Sequence, residues 1–466
     1  MAPKFGTSGL RGLVTELTPD LVTGYVRAFL AACPTGGGLQ VGRDLRESSP
    51  AIAAIVAEAA RGAGVPVTEC GVLPTPALAL AAQRAGQAAV MVTGSHIPAD
   101  RNGLKFYVPA GEISKAEEQA IQGALGTGAP DADRAPLVED AGAGDAFRDR
   151  YVTAYGGGAL RGLRIGVYQH SSVARDMLVE VLGALGAEPV PLGRSDSFVP
   201  VDTEALDPAT RGMLAGWCAD HRLDAVVSTD GDADRPMVAD ASGRVVPGDI
   251  LGALTSRALG AGTICTPISS NSMVVDLFGP EAVHLTRIGS PYVIAAMEAA
   301  LADDPAARVV GYEANGGFLL GFPAEGPAGT LEPLMTRDCV LPIVAPLAAA
   351  VAEGRTLAQL VAALPPRFTA ADRIQNVPSE ASAAFIARLA DDAAARAAFF
   401  EAGAPERDTD LTDGLRVSFD TGAVVHLRPS GNAPECRIYA EADSPEAAEA
   451  LVATHFARLA EALRGA

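Results

Sequence analysis

The chain has 466 residues, a formal net charge of -20, 48% hydrophobic and 20% charged content. That composition is globular, and at roughly 100–200 residues per domain it accommodates three or four domains. The acidity excludes nucleic-acid backbones and anionic membrane surfaces as partners, because both need clustered Lys and Arg. An anionic substrate would need a local positive pocket, and only three of the 36 basic residues are lysines: Lys4, Lys105 and Lys115. The six cysteines form no CxxC and the six histidines no HExxH, so no Cys/His zinc site is expected. The N-terminus lacks a signal-peptide apolar core. The longest apolar stretch, around Val340–Ala352, is interrupted by Pro342 and Pro346 and falls short of the ~20 residues that span a bilayer. A soluble cytoplasmic protein is expected.

Along the chain one rhythm recurs three times, with β-branched runs separated by alanine-rich amphipathic stretches. In the first pass the runs lie near Leu39–Val41, Val65–Glu69 and Ala88–Val92, with helices around Ser49–Arg61 and Pro76–Ala85. In the second they lie near Arg164–Tyr168, Glu188–Pro191 and Ala225–Ser228, with helices at Val173–Leu185 and Pro208–His221. In the third they lie near Thr263–Thr266, Ala282–Leu285 and Arg308–Gly311, with a helix at Pro291–Ala302. Such alternation predicts parallel βαβ units. The last quarter reads differently: a helix, a hairpin of Leu415–Phe419 and Ala423–Leu427 across Asp420-Thr421-Gly422, a run Cys436–Ala440 and a terminal helix Pro445–Leu463. The fold class is therefore α/β: three related α/β domains with mixed, mostly parallel sheets, at 1–150, 151–255 and 256–366, plus a C-terminal α+β domain at 367–466. Polar and glycine-rich stretches near Asp145–Arg161 and Gly243–Gly252 mark two of the boundaries.

The third run of each α/β unit ends in a loop rich in chemical groups, where α/β folds bind ligands. Asp230-Gly231-Asp232-Ala233-Asp234-Arg235 places three carboxylates at alternating positions. It lacks the Gly and Glu of an EF-hand, having Arg235 and Ala241 there, and suits Mg²⁺. Thr93-Gly94-Ser95-His96 offers a hydroxyl on a turn, with His96 and Lys105 as candidates for proton transfer or charge stabilisation. Glu313-Ala314-Asn315-Gly316-Gly317 supplies a carboxylate and an amide, groups that suit vicinal sugar hydroxyls. Arg428-Pro429-Ser430-Gly431-Asn432 makes a phosphate cradle, and Lys4–Gly12 carries Ser8 and Arg11 on a glycine-rich loop. Together these loops point to one cleft between four domains.

In order, these five segments resemble the signature loops of the α-D-phosphohexomutase superfamily, most closely its bacterial phosphomannomutase/phosphoglucomutase members, over essentially the whole chain. The resemblance implies that Ser95 is a phosphoserine and that Asp230, Asp232 and Asp234 bind Mg²⁺ together with it. Arg235 would lie beside the transferring phosphate, and Glu313 and Asn315 would read sugar hydroxyls. Arg428, Ser430, Gly431 and Asn432 would hold the non-reacting phosphate. Arg11 and Lys105 would line the reacting side, with Lys105 or His96 as general acid/base. Arg287 belongs to the presumed sugar-reading region, in Thr286-Arg287-Ile288-Gly289-Ser290. There several relatives carry His at the last position; many have Ser in place of Asn315, and relatives often read Ala-Ser-His-Asn-Pro where this chain has Gly94-Ser95-His96-Ile97-Pro98.

The implied activity interconverts hexose 1-phosphate and hexose 6-phosphate, with mannose the expected sugar and glucose the alternative, through a bound hexose 1,6-bisphosphate. The protein would act as a monomer or homodimer. Phosphoglucosamine mutase, a phosphatase or mutase with an aspartyl nucleophile, and a non-catalytic sugar-phosphate-binding protein are the competing readings.

Overall fold

The computed structural model describes residues 3–6, 9–400, 404–430 and 435–464. By contact density the chain forms two compact units: 1–264 with 297–361, and 265–296 with 362–466.

The first unit opens on a mixed sheet. Its order is Lys4–Gly6, Gly9–Leu13, Arg101–Val108, Ala88–Val92, Leu39–Arg43, Val67–Val72, Leu137–Glu139. Ala88–Val92, Leu39–Arg43, Val67–Val72 and Leu137–Glu139 run parallel, as the βαβ rhythm predicts, while the remaining strands pair antiparallel. Helices Pro19–Ala32 and Ser49–Gly62 cover the sheet with Val22, Val26, Phe29, Ile52 and Val56, all buried against Val41, Val90 and Phe106. Side chains alternate along a strand. Leu10 opposite Leu104 therefore faces the core, whereas Arg11 opposite Gly103, and Lys105 two residues on, share the other face.

A second sheet has the order Glu188–Arg194, Arg164–His170, Ala225–Thr229, Pro236–Asp240, Val245–Val246, again parallel and then antiparallel. In the third, Val309–Tyr312, Phe318–Leu320 and Leu334–Asp338 pair antiparallel in succession. Each candidate loop of this unit thus joins a buried strand to an antiparallel return strand: Ala88–Val92 to Arg101–Val108, Ala225–Thr229 to Pro236–Asp240, and Val309–Tyr312 to Phe318–Leu320. The hairpins pinch the loops, so short polar segments converge where a parallel crossover would splay them.

The stretch Asp145–Arg161, read from its polar and glycine residues as a boundary, is mostly helix, Ala143–Tyr155, with Phe147, Tyr151 and Ala154 buried. Only the turn beyond Gly156 is irregular. Likewise helix Gly248–Ala258 begins inside the turn-rich stretch Gly243–Gly252. A Cβ on Gly248 would sit 2.3 Å from the Gly316 nitrogen, so this helix end seats directly on the Glu313–Gly317 loop. The apolar stretch around Val340 is a buried helix, Leu341–Glu353, with Pro346 inside it. Among the described residues no helix is long and apolar enough to cross a membrane.

In the second unit an antiparallel sheet runs Phe368–Gln375, Glu435–Ala442, Val424–Pro429, Leu415–Phe419, Glu406–Asp410. Helices Ser379–Asp391, Ala393–Phe400 and Pro445–Ala462 bury Phe385, Leu389, Phe400 and Leu459 against Val417, Leu427 and Ile438. The sheet's outer strands Phe368–Gln375 and Glu406–Asp410 escape the sequence pattern because most of their residues are exposed, leaving no apolar alternation to detect.

Candidate active site

The acidic loop is the six-residue connection 230–235, closed by Thr229 pairing with Pro236. Ala233 at φ 56° makes the sharp turn, and Asp230 Oδ1 accepts the backbone N–H of Asp234 (3.2 Å) and of Arg235 (3.3 Å). The three carboxylates each offer an oxygen within 4.8 Å of the others, and all three residues are buried. Asp232 Oδ1 and Asp234 Oδ1 have no hydrogen-bond partner among the described residues. Three buried carboxylates this close together, with two oxygens that accept no hydrogen bond, offer the hard oxygen donors a divalent cation takes, so the donor set fits a metal. Burial, and then the charges of Asp232 and Asp234, push the Asp230 carboxyl well above the usual range. Burial opposes ionisation of Asp232 too, but Lys105, Thr75 and Arg337 hold it below its ordinary value.

Ser95 lies against this loop. Its Oγ donates to Asp230 Oδ2 at 2.6 Å, and its residue is 1% exposed. His96 Nδ1 is 3.4 Å from the same Oγ. Burial, followed by the nearby Arg235 and Arg11 charges, drives the His96 imidazole far below its ordinary pKa, so it is neutral at pH 7. Lys105 Nζ is engaged by the acidic loop, donating to Asp232 Oδ2 at 2.5 Å and to Asp234 Oδ2. Arg11 is lowered to about 10 by burial and by Arg235 and Arg337, which marks a dense cationic patch over the acidic loop. Arg235 is 9% exposed and lies 3.7 Å from Glu204.

The sugar-loop candidates belong to the same unit. Glu313 and Asn315 are buried, and Asn315 Oδ1 accepts the Gly317 N–H at 3.0 Å, which leaves its amide N–H₂ as the group to offer. Arg287 and Arg428 belong to the second unit. There Asp413 Oδ2 lies 2.9 Å from Arg428 Nε and accepts the Ile288 N–H at 3.0 Å, while Arg287 Nε donates to the Thr412 carbonyl at 3.1 Å. The carbonyl of Ser430 accepts from Ser379 Oγ at 3.2 Å. Ser8, Gly431 and Asn432 lie outside the described residues.

Three participants are invisible to motif reading. Thr75 Oγ1 donates to Asp232 Oδ2 at 2.6 Å from the first turn of helix Thr75–Ala85. Arg337, 3% exposed, lies 2.8 Å from Asp234 Oδ2 and 3.4 Å from Glu313 Oε2, joining the acidic loop to the sugar-loop candidate. The signal available was a charged Arg337-Asp338 pair directly before the apolar stretch that begins at Val340. His170, at φ 24° and fully buried, bonds the Thr229 carbonyl through Nε2 at 2.9 Å and so braces the strand that launches the acidic loop.

Burial lowers His170 to about 4, and lowers His426 in the second unit to about 4 as well. The unfolded chain binds these protons near pH 6.5, whereas the native state refuses them until about pH 4. Stability is therefore unaffected above pH 6.5 and falls as pH drops from there to 4, by up to about 3 kcal/mol for each histidine. Urea unfolding at pH 7.5 and pH 4.5 measures this, and equal midpoints would contradict it.

The family models for "Phosphoglucomutase/phosphomannomutase, alpha/beta/alpha domain I", domain II, domain III and the C-terminal domain match residues 2–130, 150–243, 247–368 and 349–458. A phosphomannomutase of Sinorhizobium fredii is 48% identical over 98% of this chain and 99% of that protein. A phosphomannomutase of Salmonella muenchen is 40% identical over 97% and 94%. A phosphoglucomutase/phosphomannomutase family protein of Burkholderia thailandensis shares the fold, with a TM-score of 0.79 over 99% of this chain and 98% of that one, at 21% identity. With all four domain models matched in order along it, the chain belongs to the phosphoglucomutase/phosphomannomutase family.

Proposed function

We propose that Ser95 carries the phosphoryl group with which this phosphohexomutase interconverts hexose 1-phosphate and hexose 6-phosphate, mannose being the sugar served in the cytoplasm. The observation that carries the reading is the 2.6 Å approach of Ser95 Oγ to Asp230, inside a buried triad ringed by Lys105, Arg11, Arg235 and Arg337. Phosphoryl transfer needs positioning and charge neutralisation more than covalent help, and this constellation supplies both. Asp230, Asp232 and Asp234 would hold Mg²⁺, which when bound supplies charge neutralisation at the phosphoserine and at the transferring group.

The chain's own groups do the rest. Arg11 and Arg235 stabilise the equatorial oxygens of the phosphoryl group in flight. Lys105 supplies or takes the proton at the sugar hydroxyl, and Glu313 with the Asn315 amide orients the ring. Arg428, Ser430, Gly431 and Asn432 hold the phosphate that does not react. Phospho-Ser95 gives its phosphoryl to the free hydroxyl; the resulting 1,6-bisphosphate turns over and returns its other phosphate to Ser95. Burial of Ser95 keeps water from the phosphoester between the two transfers.

The test is intact mass and phosphosite mapping of the purified protein, then turnover of mannose 1-phosphate, glucose 1-phosphate and glucosamine 1-phosphate with a trace of the matching bisphosphate. The expected result is phosphate on Ser95 and a kcat/KM about tenfold higher for mannose 1-phosphate than for its epimer, the value of roughly one hydrogen bond. Highest turnover on glucosamine 1-phosphate would move the chain to phosphoglucosamine mutase. Binding without turnover of any would make it a sugar-phosphate-binding protein.

A further inference from the structure

Ser95 sits at φ 52°, in the left-handed region that strains a residue with a side chain. Surrounding structure must impose that conformation. The group that does so is Arg46, a side chain 1% exposed that has no place in the mechanism above. Its guanidinium donates to four carbonyls of one loop: Ser95 (2.9 Å), Ile97 (2.6 Å), Pro98 (2.6 Å) and Arg101 (2.9 Å).

The cation is itself held from two sides. Asp44, fully buried, lies 3.2 Å from Arg46 Nε and also accepts from Thr93 Oγ1 at 2.8 Å and from the Gly94 N–H at 3.3 Å. Thr93 Oγ1 in turn accepts the Ser95 N–H at 2.8 Å. On its flat face the guanidinium stacks 3.9 Å over the Phe198 ring. Phe198 comes from the segment that follows strand Glu188–Arg194, and a Cβ on Gly231 of the acidic loop would lie 2.9 Å from both Phe198 and the Ser95 carbonyl. One planar cation thus fastens the serine loop internally and abuts the ring that backs the acidic loop. Gly94 completes the fit, because a Cβ there would fall 2.6 Å from the centre of the guanidinium.

We propose that Arg46 is a positioning residue for phosphoryl transfer: by gathering the carbonyls of residues 95–101 and stacking on Phe198 it sets the Ser95 hydroxyl at Asp230. A five-donor planar fork can serve four carbonyls and stack at once; an ammonium with three donors cannot. Arg46 acts through the nucleophile alone, so its loss lowers kcat and leaves the KM for hexose phosphate in place. The proposal rests on Ser95 as the phosphoryl carrier.

The test compares wild type, Ser95→Ala, Arg46→Ala, Arg46→Lys, Gly94→Ala and the Arg46→Ala/Gly94→Ala pair in steady-state turnover and thermal melts. Misplacement of a reacting group by about 1 Å costs on the order of 100-fold in rate. Arg46→Ala is therefore expected to lose about 100-fold in kcat with KM within threefold, and Arg46→Lys to recover little of it. Gly94→Ala is expected to produce a comparable loss alone and to add almost nothing in the Arg46→Ala background, where the clash no longer exists. Wild-type kcat in Arg46→Ala, full recovery by lysine, or additive losses in the pair would overturn the proposal. If Arg46→Ala does not fold, Gly94→Ala and Phe198→Ala carry the test, and unchanged kcat in both overturns it. Turnover by Ser95→Ala would instead refute the carrier reading, which separates the two failures.

Discussion

Ser95→Ala is expected to abolish mutase turnover, by at least about 10³-fold, because it removes the proposed phosphoryl carrier. The loss should fall on kcat. The variant keeps the residues proposed to hold the non-reacting phosphate and the sugar, so hexose phosphate should still bind with nearly wild-type affinity in calorimetry. Stability should change little, since alanine retains the positive φ and loses one hydrogen bond to a carboxylate that already accepts two backbone N–H groups. Intact mass would show the phosphate gone. Residual turnover above a few per cent would shift the nucleophile to the acidic loop itself.

Lys105→Met should give the second largest effect, and in two separable measurements. The ammonium is buried between Asp232 and Asp234, and breaking a buried pair by removing one partner costs about 3–5 kcal/mol. The metal-free variant should therefore melt well below wild type. Added Mg²⁺ should raise its melting temperature more than it raises that of wild type, because the uncompensated carboxylates gain most from a cation. Activity should not return with the metal: if Lys105 transfers the proton as proposed, its loss lowers kcat by roughly 10²–10⁴-fold. His96→Gln should cost far less, since its buried, neutral imidazole is a poor base. A His96→Gln loss exceeding that of Lys105→Met would reverse the assignment.

The sequence shows the parallel strands of the first two sheets because β-branched runs and alanine-rich amphipathic stretches alternate with different periods. Ala88–Val92 and Pro208–His221 fall where the pattern puts them. It hides the return strands. Arg101–Val108 opens on Arg, Asn and Gly and carries Lys105, so its pattern reads as loop although seven of its eight residues are buried. The same holds for Pro236–Asp240, which starts with Pro and ends with Asp yet is wholly buried.

Within the site, residues clustered in one loop are legible as motifs, as Asp230, Asp232 and Asp234 are. Residues that act from elsewhere in the chain are not. Thr75, Arg337 and Arg46 stand alone in sequence and gain their meaning only from what the fold lays against them. Gly94 is a plain turn residue until Arg46, distant in sequence, fills the space where a methyl would go.

The segment 265–296 groups with 362–466, although the chain leaves it to complete the other unit at 297–361. Its Ile288 N–H and Arg287 guanidinium rest on Asp413 and Thr412, and Ser272 on Glu441. A chimera that exchanged only the C-terminal quarter with a relative would therefore mismatch this inserted segment against a foreign surface. Recombination that respects the molecule must transplant both stretches together, so the heritable module here is discontinuous in the gene.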